Sequence, residues 1–166
     1  MILEIDDWKF DIDMAGTMAY SAAEAADHCT CPYCRNFYTS VDGKYPSLRP
    51  FLAQFGLNIE APDELMPFTS IMVMNLYAVS GVIIQFGKEP ISVDGTKVYP
   101  ETAEQARINT YCPQPYFVLS TGVMDIPWVL DEPMVEDQIV SPANVPSFLK
   151  KMWNRLLGRQ KNQITS

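Results

Sequence analysis

The stretch Phe68-Thr-Ser-Ile-Met-Val-Met-Asn-Leu-Tyr-Ala-Val-Ser-Gly-Val-Ile-Ile-Gln-Phe86 decides the fold class. From Leu65 to Gly87 the chain has no charged residue, and about 20 apolar residues are enough to span a bilayer as a helix. The composition argues for strands instead. Pro67, Thr69, Ser70, Asn75, Ser80, Gly81 and Gln85 interrupt the run, while Ile71, Val73, Val79, Val82, Ile83 and Ile84 give it the β-branched content of buried strands. Two strands broken near Ser80-Gly81 are predicted, and a membrane partner is not expected.

The flanks extend this reading. Ser92-Val-Asp94-Gly95-Thr-Lys97 is a tight-turn signal between two short strands. Tyr116 to Thr121 and Ile126 to Leu130 are expected to complete the sheet, and Ile2 to Ile12 alternates as a hairpin turning near Asp6 and Asp7. Most of these runs follow one another with no helix between them, which favours antiparallel pairing. The fold class expected is α+β: a mainly antiparallel sheet, a helical cysteine-containing N-terminal segment and a C-terminal amphipathic helix.

Ser21-Ala-Ala-Glu24 has capping-box spacing and predicts a short helix through Ala25 and Ala26 that stops near His28. A second helix is predicted over Ser47 to Phe55, with Leu48, Phe51, Leu52 and Phe55 on one face, Pro50 in the first turn and Gly56 as its left-handed stop. A third is predicted over 146–158, where Phe148, Leu149, Met152, Trp153, Leu156 and Leu157 make an apolar stripe. Residues 159–166 are expected to form a flexible tail.

The 166 residues, 48% hydrophobic and 19% charged, fit one domain over 1–166 that can bury a core without disulfide staples. Charge is partitioned. Residues 1–137 hold 7 basic and 20 acidic side chains, whereas 138–166 hold 5 basic and none acidic, which gives the total of -8. That balance speaks against nucleic acid as a partner. The basic helix either packs on its own acidic domain or docks on an acidic protein partner or anionic surface. The first residues, Met-Ile-Leu-Glu-Ile-Asp-Asp, lack the basic and apolar regions of a secretory signal, so a cytoplasmic, reducing location is expected and the four cysteines do not read as a disulfide framework.

The concentrated chemistry lies in Asp27-His28-Cys29-Thr30-Cys31-Pro32-Tyr33-Cys34-Arg35-Asn36-Phe37. Three thiolates in a CxCxxC pattern suit the soft tetrahedral demand of zinc. The ligand set expected is Cys29, Cys31 and Cys34, with Cys112 of Tyr111-Cys112-Pro113 as the fourth and His28, adjacent to Cys29, as the alternative. In a competing reading the thiols do redox chemistry, and in a plainer one they pack as small hydrophobes.

Cys31-Pro-Tyr-Cys34 is identical to the tetrapeptide that glutaredoxins carry. That resemblance implies a thiol-disulfide oxidoreductase with Cys31 as nucleophile and Cys34 as resolving thiol. The surroundings depart from the family. The segment before the motif reads as helix where a glutaredoxin has a strand, and Val145-Pro146 is the sole candidate for its cis-proline loop. More broadly, Cys29-Thr-Cys31-Pro-Tyr-Cys34-Arg35-Asn36-Phe37, Phe55-Gly56-Leu57, Tyr77-Ala-Val-Ser-Gly81 and Pro127-Trp128-Val-Leu-Asp131-Glu132-Pro133 resemble a family of uncharacterised bacterial proteins. This implies no activity, but it makes the cysteine segment an integral part of one domain.

Other chemistry is thinly represented. His28 is the single histidine, which excludes paired-histidine metal motifs, and GxSxG, P-loop and GxGxxG patterns are absent. The acidic pairs Asp63-Glu64 and Asp131-Glu132 read as solvated surface charge. No catalytic residue is assigned outside the redox alternative, and a binding or interaction protein is favoured over an enzyme.

Overall fold

One long strand, β4 (Met72–Gln85), organises the molecule. The computed structural model describes residues 1–133 apart from Asp27 and Ser70. In chain order the elements are β1 (Ile2–Ile5), β2 (Trp8–Ile12), α1 (Met14–Ala26), α2 (Pro32–Lys44), α3 (Leu48–Ala53), β3 (Glu64–Thr69), β4, β5 (Ile91–Val93), β6 (Thr96–Thr102), α4 (Ala103–Ala106), β7 (Tyr116–Thr121) and β8 (Met124–Asp125). They form an eight-stranded sheet in the order β1-β2-β4-β7-β6-β5, with β3 and β8 also on β4. All these pairings are antiparallel, as the scarcity of crossover helices predicts.

Local turn chemistry holds where it was expected. Asp6 takes a φ of 52° between β1 and β2, and Asp94 and Gly95, at 47° and 82°, turn β5 into β6. Helix α3 follows Ser47 and buries Leu48, Phe51 and Leu52, and Gly56 lies just beyond with φ 82°.

Three expectations are corrected. Helix α1 starts at Met14, not Ser21, because Asp13 caps it: the Gly16 N–H donates to Asp13 Oδ1 at 3.0 Å. Ser21 lies mid-helix, where its hydroxyl accepts from the Asn58 N–H at 2.8 Å. The chain reverses between Thr69 and Met72 rather than at Ser80-Gly81. Gly81 instead marks a change of neighbour inside the continuous strand β4. Residues 126–130 are no strand; the pairing stops with the two residues of β8. The expected C-terminal helix over 146–158, the tail beyond it and the Val145-Pro146 bond lie outside the described residues. A cis peptide is found at Gln114-Pro115, just before β7.

On one edge of β4, β3 pairs with residues 72–76 and β2 with residues 81–85, leaving a gap. Within it the Ala78 N–H donates to Asp63 Oδ2 at 2.6 Å and the Ser80 N–H to Thr17 Oγ1 at 3.1 Å, while the Ser80 carbonyl accepts from the Asp13 N–H at 2.9 Å. Buried backbone groups must find partners, so side chains replace the missing strand and fasten α1 to the sheet. Gly81 closes the gap. Its φ of 141° and the 2.2 Å that would separate a Cβ from the Asp11 carbonyl leave room only for glycine.

The main core lies where α2 and α3 meet the sheet, with Phe37, Val41, Leu48 and Leu52 packed among Phe10, Tyr77, Val79, Phe117 and Leu119. Phe10 stacks on Phe117 with centroids 5.2 Å apart and meets the edge of Phe55 at the same distance. The intervening β4 residues Met74 and Leu76 join Val118 and Ala106 in a smaller cluster, as the two-residue strand period requires. Among the described residues no helix is long and apolar enough to cross a membrane.

Candidate metal centre

The cysteine segment connects α1 to α2. Cys31 is extended (φ -63°, ψ 159°) and stands immediately before the helix, with Pro32 in the first helical position, where a missing N–H costs nothing. Three residues later on the same helical face lies Cys34, which is buried with Phe37 and Val41. Cys29 is exposed and folds back, so that the Cys31 N–H donates to its Sγ at 3.4 Å. The three sulfurs lie within 4.8 Å of one another. A zinc ion with Zn–S bonds of about 2.3 Å holds tetrahedral sulfurs about 3.8 Å apart, so a contraction of roughly 1 Å or less completes three of its bonds.

The surroundings hold this loop in place. Arg35 Nε donates to the Thr30 carbonyl at 2.9 Å and its guanidinium pairs with Glu132 at 2.8 Å. The Asn36 carboxamide donates to the Pro127 carbonyl at 3.1 Å and accepts from the Val129 N–H at 2.8 Å. Tyr33 meets Trp128 edge to face at 6.4 Å. The CRNF residues and the segment from Pro127 to Glu132 are therefore one structural unit.

Electrostatically the thiols differ. The Cys31 N–H, then the Cys31 and Cys34 thiols as donors, draw the Cys29 thiol below the usual range. Burial pushes Cys34 well above it, and the neighbouring sulfurs add to that shift. Tyr38, one turn beyond Cys34, is raised by burial and by the nearby Cys34.

The trio opens on a cleft of about 350 Å³, which is lined also by Glu24, His28, Tyr33, Tyr38, Asp63 and Leu65. His28 is exposed and lies against Tyr38, with rings 5.0 Å apart. Neither His28 nor Cys112 belongs to the set within 4.8 Å. Cys112 is buried, its N–H bonded to Thr110 Oγ1 at 3.0 Å, and burial together with the Asp63 charge pushes its thiol up to about 12. Its chain is tied instead to α1, through the contact of 2.7 Å between Tyr20 Oη and Thr110 Oγ1.

Sequence reasoning missed Tyr38 and the part played by Asp63. The four-residue spacing from Cys34 was a usable signal for Tyr38. Asp63, read as surface charge, accepts from Tyr20 and from the Ala78 backbone, and its role had no sequence signal. Glu132 is engaged by Arg35.

No known protein family, curated protein or solved structure matches this chain.

Proposed function

We propose that this chain is a metal-binding interaction domain in which Cys29, Cys31 and Cys34 hold a zinc ion that locks the α1–α2 connection onto the 127–132 segment. One observation carries the reading: three free sulfurs from a six-residue stretch lie within 4.8 Å of one another. A dithiol redox pair needs two. Soft thiolates select zinc among the common divalent ions, and a reducing compartment, where they persist as thiols, belongs to the same reading. A resemblance to uncharacterised bacterial proteins belongs to the same proposal, and two of the segments that carry it meet at Asn36.

The second reading is thiol-disulfide exchange by Cys31 and Cys34. The placement of Cys31 ahead of a 13-residue helix, with Pro32 following and Cys34 buried, favours it. Against it stand a helix rather than a strand before the motif and an antiparallel sheet throughout.

Chelation separates the two. A zinc site loses metal to a strong chelator, exposes three thiols to alkylation and loosens the 127–132 segment, which Trp128 fluorescence reports. A redox pair is metal-free as purified and forms a reversible disulfide between Cys31 and Cys34.

A further inference from the structure

We infer that the metal at the cysteine trio keeps its fourth position open to the cleft and takes there a small thiol from outside the chain. This rests on the zinc reading and deepens it. Structural zinc sites are closed by four protein ligands, whereas sites with three leave one position for water or substrate. Among the described residues three sulfurs converge, and neither Cys112 nor His28 joins them.

The place and the chemistry of the position fit together. The three cysteines line a cleft of about 350 Å³, and small-molecule sites start at about 300 Å³. Tyr33, Tyr38 and Leu65 give that cleft apolar surface for a ligand's carbon atoms, while Glu24 and Asp63 line it with carboxylates. Three thiolates on a divalent ion already leave the centre anionic. Phosphates and carboxylates are thus repelled on approach, in a chain whose net charge is -8. A thiol approaches uncharged, displaces water, and binds through sulfur as its proton passes to solvent, a soft donor on a soft centre.

Cobalt(II) loaded into the full chain, with a phosphine as reductant, reads this directly in visible absorption. Titration with 2-mercaptoethanol should raise the sulfur-to-cobalt charge-transfer intensity saturably, by about a third as three sulfur donors become four. Inorganic phosphate should change nothing. Cys112→Ser and His28→Ala should keep both the starting spectrum and the thiol response. A spectrum indifferent to the thiol, bleaching of the bands as the thiol strips the metal, or a changed starting spectrum in Cys112→Ser or His28→Ala would overturn the open position while leaving a metal site. Failure of cobalt and zinc to bind at all would overturn the zinc reading, and this inference with it.

Discussion

Asn36 holds Val129 by accepting its N–H at 2.8 Å while the same carboxamide donates to the carbonyl of Pro127 at 3.1 Å. The side chain is buried, and it gives residues 126–130 the fixed path that a sheet ladder does not supply. Asn36→Ala leaves both backbone groups unpaired and should cost about 2–4 kcal/mol of stability in urea unfolding. Asn36→Asp, unable to donate to Pro127, should do no better. A cost within error of zero would show that the segment is held by something else.

The gap in the β4 edge gives a second prediction. Thr17→Val preserves shape but removes the acceptor for the Ser80 N–H, and Asp63→Ala removes that for Ala78. Each should cost about 1–3 kcal/mol. Hydrogen exchange should accelerate at Ser80 in the first variant and at Ala78 in the second, and unchanged protection at both sites would refute the assignment.

Glycine positions should respond unequally. At Gly81 an added Cβ meets the Asp11 backbone, whereas at Gly95, φ 82°, nothing lies within 4 Å. Gly81→Ala should cost about 3 kcal/mol or more, and Gly95→Ala only about 1–2 kcal/mol. Thermal unfolding of the pair is the check.

These elements show what was legible in the sequence. The Asp94-Gly95 turn, the first hairpin and α3 were readable because turn and cap chemistry is local. The start of α1 was not. Its buried positions are the polar Thr17 and Ser21 rather than large apolar side chains, and Ser21-Ala-Ala-Glu24 imitates a capping box inside the helix. Gly81 reads in sequence as a turn, because a glycine that permits close backbone approach looks there like one that reverses the chain. The cysteine spacing anticipated that Cys29, Cys31 and Cys34 come together. Cys112 lies outside the set within 4.8 Å, and two residues before it Thr110 contacts Tyr20 on α1, a placement with no signal in the sequence.

Thiol reactivity should follow burial and hydrogen bonding. In reduced, metal-free protein near neutral pH, iodoacetamide should label Cys29 first, its thiol being exposed and drawn low by the Cys31 N–H. Cys34 and Cys112 should lag, and faster labelling of either would contradict the arrangement. The buried Cys112 also sets an alkaline limit. An unfolded thiol ionises near 8.5, but the folded one is raised to about 12. The stability it contributes is therefore complete below the first value and lost as pH rises toward the second. Cys112→Ala should flatten the fall of melting temperature over that window.

Zinc content tests the central claim most directly. Protein purified without chelator under reducing conditions should carry about one zinc per chain, with Cys29, Cys31 and Cys34 shielded from a thiol reagent until the metal is removed. Cys29→Ser, Cys31→Ser and Cys34→Ser should each lower that content, and Cys112→Ser should not. Metal-free protein whose three clustered thiols react from the outset would contradict the account.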